Sequence, residues 1–347
     1  MRVSTIKLKI KAPLTNKNEV EELCLAGADE LFCGIEPDSW RRSCKHLAIS
    51  QRIGAANFTR MDDLAEAITI AHRHNTKVHI ALNAFLYLKE QYRRMLDIVR
   101  EIFDIGADGI IVADLGLIVA LKDNLLRDKD VVVGADAVVF NSSAVNFYKM
   151  LGATRIVFPR SMTISEMAQV VRKDADLEYE VFIINDLCFF EDGFCTYCKE
   201  AIDTVERKEK LKDVRFVWRA FLPLRGYRGG CRTRFNRCRI TTADRRPLGR
   251  TPKFTFWENK HIDGCGVCAV YDFRKIGITS LKVLDRNMPT ELKVKATRFI
   301  KKAVSLLDDP QMDKENFVER CRELFGRAYG VDCSPYDCYY PSCFSVA

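Results

Sequence analysis

The chain has 347 residues, of which 48% are hydrophobic and 29% are charged, and its formal net charge is +8. This composition excludes a disordered, collagen-like or low-complexity protein, and Asp114 interrupts the longest apolar stretch, Gly109–Leu121, so no membrane span is predicted. The amino terminus alternates charged and apolar residues and lacks the apolar core of a signal peptide, so we expect a cytoplasmic globular protein.

Short β-branched segments alternate with helical patterns along the chain, and four of these patterns end at a glycine, which relieves the strain of a left-handed helix end. The predicted strands are Lys7–Lys11, Glu30–Ile35, Lys77–Leu82, Gly109–Val112, Val131–Ala135, Arg155–Phe158, Tyr179–Ile184 and Ser280–Val283. The predicted helices lie near Asn16–Ala26, Met61–His74, Glu90–Ile105, Ser142–Leu151, Thr163–Lys173 and Thr290–Leu307. Strands that alternate with helices pair in parallel, and eight of them favour an α/β fold closed as a (β/α)8 TIM-like barrel.

The alternation breaks between the seventh and eighth predicted strands, where residues 188–276 form an insert rich in cysteine and arginine. We therefore predict a barrel domain over residues 1–310, which carries this insert, and a cysteine-rich extension over residues 311–347. In a barrel the insert would begin at the carboxyl end of a strand, which is the face where barrel active sites lie.

Polar residues that follow the predicted strands are the candidates for a site at this face. Asp114 and Asp136 are candidate bases, and Asn83 is a candidate substrate-binding residue, although aspartate and asparagine are also common in turns and helix caps. Arg160 is a stronger candidate because turns rarely select arginine. Lys282 and Arg286, in and after the last strand, could bind an anion together with it.

Positive charge is concentrated in the insert. Residues Val214 to Lys253 contain eleven arginines and one lysine against one aspartate, Asp244. Arginine presents a planar fork that suits carboxylates and phosphates, so this window predicts an anionic partner, either a small molecule or RNA. Arg228 and Arg232 are the candidate binding residues within it, and a protein partner is a further option.

Eleven of the fourteen cysteines lie at or beyond Cys188. Seven of them occur between residues 188 and 268, in the order Cys188-x6-Cys195-x2-Cys198, Cys231-x6-Cys238 and Cys265-x2-Cys268. Clustered thiols in a chain without an export signal indicate a metal centre, and their spacing leaves zinc and an iron–sulfur cluster open. The alternative is a set of free thiols, which suits scattered residues such as Cys24.

The sequence is similar to peptidase family U32. The similarity is carried by the pattern from Glu180 to Cys195, by Arg228-Gly229-Gly230-Cys231-Arg232, by Cys265-Gly266-Val267-Cys268, and by the segment Gly277–Arg286. In the amino-terminal half, Gly27-Ala28-Asp29, Asn57-Phe58, Leu82-Asn83 and Asp114-Leu115-Gly116 fall in the family's order. The resemblance covers roughly residues 7–305.

The resemblance implies an oxygen-independent hydroxylase that holds a [4Fe-4S] cluster, acts on a ubiquinone precursor or an RNA base, and uses prephenate as the oxygen donor. The implied ligands are Cys188, Cys195, Cys231 and Cys268, with Cys265 as the alternative to the last. Cys333, Cys338 and Cys343 lie outside the common core and could bind a second metal or close over the first.

Two departures from the family pattern affect the expected chemistry and substrate. Ile184-Asn185-Asp186 stands where the family commonly has His-Gly-Ala, and Leu284-Asp285 stands where it commonly has Glu-Gly. Two alternatives therefore stay open: a peptidase, as the family name says, and a non-enzymatic metalloprotein that binds RNA or a protein partner. The sequence contains neither H-E-x-x-H nor G-x-S-x-G, which disfavours the peptidase.

Overall fold

A computed structural model of the protein describes residues 7–43, 49–51, 56–121, 126, 128–188, 192–194, 264–334 and 337–343. Eight parallel strands close into a barrel, because the first strand pairs with both the second and the last. A two-residue strand, β3, is added beside β2. The strands are β1 Lys9–Pro13, β2 Glu30–Ile35, β3 Asn57–Phe58, β4 Lys77–Leu82, β5 Gly109–Val112, β6 Asp130–Val133, β7 Arg155–Val157, β8 Glu178–Ile184 and β9 Ser280–Val283. The predicted (β/α)8 barrel is confirmed.

Helices cover the outside of the barrel. They are α1 Val20–Leu25, α2 Asp38–Ser43, α3 Met61–Arg73, α4 Lys89–Asp104, α5 Leu115–Leu121, α6 Ser142–Met150, α7 Ile164–Val171, α8 Val270–Ile276, α9 Thr290–Leu306 and α10 Lys314–Tyr329. Helix α4 is typical, because its buried residues Met95, Ile98, Val99 and Ile102 recur at the spacing of one helix face. Within the described residues, no helix is long and apolar enough to cross a membrane.

The strands are apolar along most of their length because both of their faces are covered. All four residues of β5 are buried, as are six of the seven in β8. A strand packed between a barrel interior and a layer of helices reads as a continuous apolar run rather than an alternation. This explains why the sequence located seven of the eight barrel strands to within one residue at their amino ends.

A charged layer lies inside the apolar barrel. Glu180, which is fully buried, lies 2.8 Å from Lys11 Nζ, 3.0 Å from Arg155 Nη1 and 2.9 Å from Lys282 Nζ. Arg155 also donates to Glu30 Oε1 at 2.7 Å. The neighbouring cations hold the pKa of Glu180 well below its usual range despite burial, and burial lowers the pKa of Lys11 to about 8. These side chains join strands on opposite sides of the barrel.

The C-terminal extension belongs to the same compact unit as the barrel, which comprises residues 1–194 and 264–347. Helix α10 packs on α9, begins after Asp313, whose side chain accepts from the Asn316 amide, and ends at Gly330 with φ of 68°. Most of the insert, residues 195–263, lies outside the described residues. Arg228 and Arg232 are therefore not described, and neither is the rest of the arginine-rich window.

Candidate functional site

A half-buried carboxyl group lies at the carboxyl end of the barrel. Asp136 follows β6, and its Oδ2 accepts a hydrogen bond from Asn83 Nδ2, after β4, at 2.7 Å. Burial, together with the nearby charge of Asp192, raises the pKa of Asp136 to about 7. A carboxyl group with that pKa can both release and accept a proton near neutral pH, which suits a general acid or base. Two of the residues predicted from the sequence, Asn83 and Asp136, are thus brought together.

The turn that carries Asp136 has an unusual backbone. Asp136 lies in the short helical turn Ala135–Ala137, and Val138 ends this turn with φ of 57°. A β-branched residue rarely adopts this left-handed conformation, so the surrounding packing must hold it. Gly193 approaches so closely that a Cβ there would lie 1.8 Å from Val138 Cγ2 and 2.5 Å from the Asp136 carbonyl oxygen. Glycine at position 193 therefore allows Asp192 to reach the turn.

Two cations border the same region and share an aromatic neighbour. Arg160, after β7, pairs with Asp192 and lies 3.8 Å from Asp186 Oδ2, and its guanidinium carbon is 4.5 Å from the centre of the Phe182 ring. Lys282 Nζ lies 6.0 Å from the same ring centre. Both cations are largely buried, so they present positive charge where little water competes for it. This arrangement can hold a carboxylate or a phosphate.

Asp114 and Arg286 are engaged with the protein itself. Asp114 Oδ1 accepts hydrogen bonds from the Leu117 amide at 2.6 Å and from the Tyr92 hydroxyl at 2.8 Å, so it caps helix α5. Arg286 donates to Asn57 Oδ1 at 3.0 Å and to Ser50 Oγ at 3.2 Å, and its side chain is almost fully buried. These contacts favour Asp136 over Asp114 as the reacting carboxyl group.

The structure also shows a functional candidate, Asp192, that the sequence analysis missed. Asp192 lies in the insert, where no strand pattern points to it; the Asp-Gly pair at 192–193 is the signal that could have found it. Asn185 and Asp285 follow the seventh and eighth predicted strands and are therefore also site candidates from the sequence. They have φ of 65° and 68°, and Asp186 has φ of 54°, so the strand ends of β8 and β9 both turn through left-handed backbone. Strained residues of this kind cluster at active sites.

The described part of the chain contains some of the predicted metal ligands. Cys188 follows β8 and is half-buried. Cys265 forms a β-bridge with Ile184 at the end of β8. Cys268 lies in the turn Val267–Ala269, against which α10, the helix of Cys321, packs. Cys195 and Cys231 lie outside the described residues.

Further thiols surround the last of these ligands. A small cavity is lined by Cys265, Cys268, Cys333, Cys338 and Cys343. Among the residues that the structure describes, no three His, Cys, Asp or Glu side chains already stand in position to hold one metal ion. The thiols near Cys268 are therefore neighbours that have not converged on a single point.

Comparison with known proteins identifies relatives of this chain. The sequence model of peptidase family U32 matches residues 15–331. An uncharacterized protease of Methanocaldococcus jannaschii is 30% identical over 203 residues, which is 53% of this chain and 45% of that protein. The tRNA hydroxylation protein P2 of Bacillus subtilis is 21% identical over 295 residues, covering 80% of this chain and 85% of that protein.

A third relative is the 23S rRNA 5-hydroxycytidine C2501 synthase of Escherichia coli, 23% identical over 195 residues, or 56% of this chain and 27% of that protein. The chain thus spans less than half of the Methanocaldococcus and Escherichia relatives, and most of the Bacillus one. The family match ends at residue 331, so Cys333, Cys338 and Cys343 lie beyond it.

Proposed function

Because this chain belongs to peptidase family U32, we propose that it is a modification enzyme that hydroxylates an RNA base at the carboxyl end of its barrel. The observation that carries the proposal is the placement of Asp136, a half-buried carboxyl group whose pKa desolvation and Asp192 raise to about 7, near the cations Arg160 and Lys282. Relatives named for hydroxylation of tRNA and of rRNA support the reaction class.

Hydroxylation replaces a C–H bond with a C–OH bond, so the reaction needs a donor for one oxygen atom. We propose a small carboxylate donor, of which prephenate is the one implied by the family resemblance, so that O2 is not required. Arg160 and Lys282 would bind its carboxylate, since both are held near Phe182 with little access to water. Asp136, which accepts a hydrogen bond from Asn83, would transfer the proton at the reacting RNA base.

The cysteine side chains have the chemistry that an iron–sulfur cluster requires, because such clusters are held by thiolate ligands. We propose Cys188, Cys195 and Cys231 as ligands, with the fourth taken from Cys265 or Cys268. The structure favours Cys265, because its β-bridge with Ile184 holds it beside the end of the strand that Cys188 follows. When bound, a [4Fe-4S] cluster would supply electrons one at a time near Arg160.

A peptidase is the second candidate. It is favoured by the name of the Methanocaldococcus relative and by the neighbouring carboxyl groups of Asp136 and Asp192, a combination that acid peptidases use. The ion pair between Arg160 and Asp192 argues against it, because one of the two carboxylates is already engaged by a cation.

Nucleoside mass spectrometry tests the proposal. RNA from cells that lack the gene should be missing a nucleoside that is heavier by one oxygen atom than its precursor. The wild-type gene should restore it, Asp136→Asn should not, and Asp97→Asn, a change at an exposed helix position, should restore it fully. Identical nucleoside profiles with and without the gene, or peptide cleavage that depends on Asp136, would overturn the proposal.

A further inference from the structure

The thiols near the carboxyl terminus form a cluster centred on Cys268. Cys321 is buried on helix α10, which packs against the turn Val267–Ala269 that carries Cys268, and Cys333 and Cys338 border the cavity that Cys268 lines. We propose that Cys268, Cys321, Cys333 and Cys338 bind one soft divalent metal ion of the zinc class, at a site separate from the reaction site. Four thiolates are the ligand set that zinc adopts in structural sites.

Three separate parts of the chain supply these ligands. Cys268 lies in the short turn Val267–Ala269, Cys321 is buried on helix α10, and Cys333 and Cys338 belong to the segment that follows this helix. Cys333 and Cys338 line the same small cavity as Cys268, and the helix that carries Cys321 packs against the turn of Cys268. A metal at this point would therefore tie the carboxyl-terminal segment and α10 to the barrel.

The backbone already holds the carboxyl-terminal segment beside Cys268. The Cys265 amide donates to the Asp337 carbonyl at 2.8 Å, and the Tyr339 amide donates to the Cys265 carbonyl at 3.0 Å. The Tyr340 hydroxyl donates to the Phe182 carbonyl of β8 at 2.9 Å. These bonds, with the β-bridge between Cys265 and Cys338, hold the backbone of Cys338 beside the segment that carries Cys268.

Two other cysteines at the cavity have different partners. Cys265 is paired with the end of β8 and is the proposed fourth ligand of the iron–sulfur cluster. Cys343 Sγ lies 3.8 Å from Asp272 Oδ2, and Asp272 also pairs with Lys314 at 2.9 Å. The set of four is thus what remains after these two are assigned, and it replaces Cys343 of the sequence-based set with Cys268 and Cys321.

Closure of the site requires movement of the more exposed ligands. In a tetrahedral thiolate site with metal–sulfur bonds of about 2.3 Å, the sulfurs lie about 3.8 Å apart. Cys333 and Cys338 are partly exposed, whereas Cys321 is buried. They are the ligands that would turn inward.

Metal analysis of the full-length protein tests the inference. The protein is prepared anaerobically, treated with a chelator, and titrated with Zn2+ alone, and zinc, iron and sulfide are then quantified. We expect one equivalent of tightly bound zinc, a rise of the Tm on zinc addition, and loss of both effects in Cys333→Ser and Cys338→Ser. Cys24→Ser is the matched control, because Cys24 lies on α1 and does not line the cavity.

The variants at Cys333 and Cys338 avoid the fully buried Cys321, so a folding defect does not confuse the result. Unchanged zinc content in both variants would overturn the inference, as would a disulfide between Cys268 and Cys321 in the anaerobic protein. Loss of iron instead of zinc would also overturn it, because these thiols would then serve the iron–sulfur cluster. Absence of iron from a protein that still binds zinc would refute the proposed cluster and leave this site intact.

Discussion

The raised pKa of Asp136 has a measurable effect on folding stability. In the unfolded chain this carboxyl group has the ordinary pKa of 3.8, whereas in the folded protein it is about 7. Between these values the unfolded chain releases the proton and the folded protein keeps it, so the free energy of unfolding falls as the pH rises. The difference of about three pH units corresponds to about 4 kcal/mol at pH 8, at about 1.4 kcal/mol per unit.

Replacement of Asp136 with Asn removes this penalty, because the amide stays neutral and can still accept from Asn83 Nδ2. We expect Asp136→Asn to be more stable than the wild type, by less than about 2 kcal/mol at pH 5 and by about 4 kcal/mol at pH 8. Urea denaturation followed by circular dichroism at both pH values measures the change. Asp97→Asn, at an exposed position, should track the wild type.

A stability gap between Asp136→Asn and the wild type that is the same at pH 5 and pH 8 would refute this reasoning. The carboxyl group would then be ionised over this whole pH range, and it could not act as an acid or base near neutral pH. A wild type that gains stability relative to the variant as the pH rises toward about 4 would show that cations, and not burial, dominate the surroundings of this carboxyl group.

Three further changes test the fold around the site. Arg155→Met should lower the free energy of unfolding by about 3–5 kcal/mol, because it leaves buried carboxylates without a partner, whereas Arg73→Met on the surface should cost little; urea midpoints check both. Gly34→Ala should displace Arg286, since a Cβ there would lie 2.3 Å from its Nη1, and a lowered Tm with lost RNA modification is the expected outcome. Thr163→Ala should cost about 1 kcal/mol in the same denaturation assay, because it removes the cap of helix α7.

The barrel could be predicted from the sequence because its signals are local. Gly109–Val112 and Ser280–Val283 are runs of buried residues bounded by turns, and the structure has strands at those positions. The strand Asn57–Phe58 was not predicted, since two residues are too few to show a period. Helix Lys314–Tyr329 was also not predicted, although its buried residues recur at helical spacing. The cysteines of this segment favoured its interpretation as a metal-binding extension rather than as a helix.

Residues of the candidate site could be predicted from the sequence only where they follow the end of a predicted strand. Three of these residues follow strands: Asn83 follows β4, Asp136 follows β6 and Arg160 follows β7. Parallel strands bring such residues together at the carboxyl-terminal face of the barrel. Asp192 reaches the same face from a loop, and contact between distant loops leaves no periodic trace in a sequence. The pKa of Asp136 depends on that contact, so neither its value nor its preference over Asp114 could be read from residue types.

Lys282 lies between two charged environments, the barrel mouth and the charged layer in the barrel interior. Its ammonium group faces the barrel mouth near Phe32 and Phe182, and it also neutralises Glu180 in the interior. An anion that arrives at the mouth competes with Glu180 for this charge, and Glu180 must then rely on Lys11 and other deeper cations. Binding of an anion at the barrel mouth therefore changes the ion pairs of the strands that carry these groups. Slower or faster amide exchange in the barrel strands would report a bound anion even where no backbone contact with it exists.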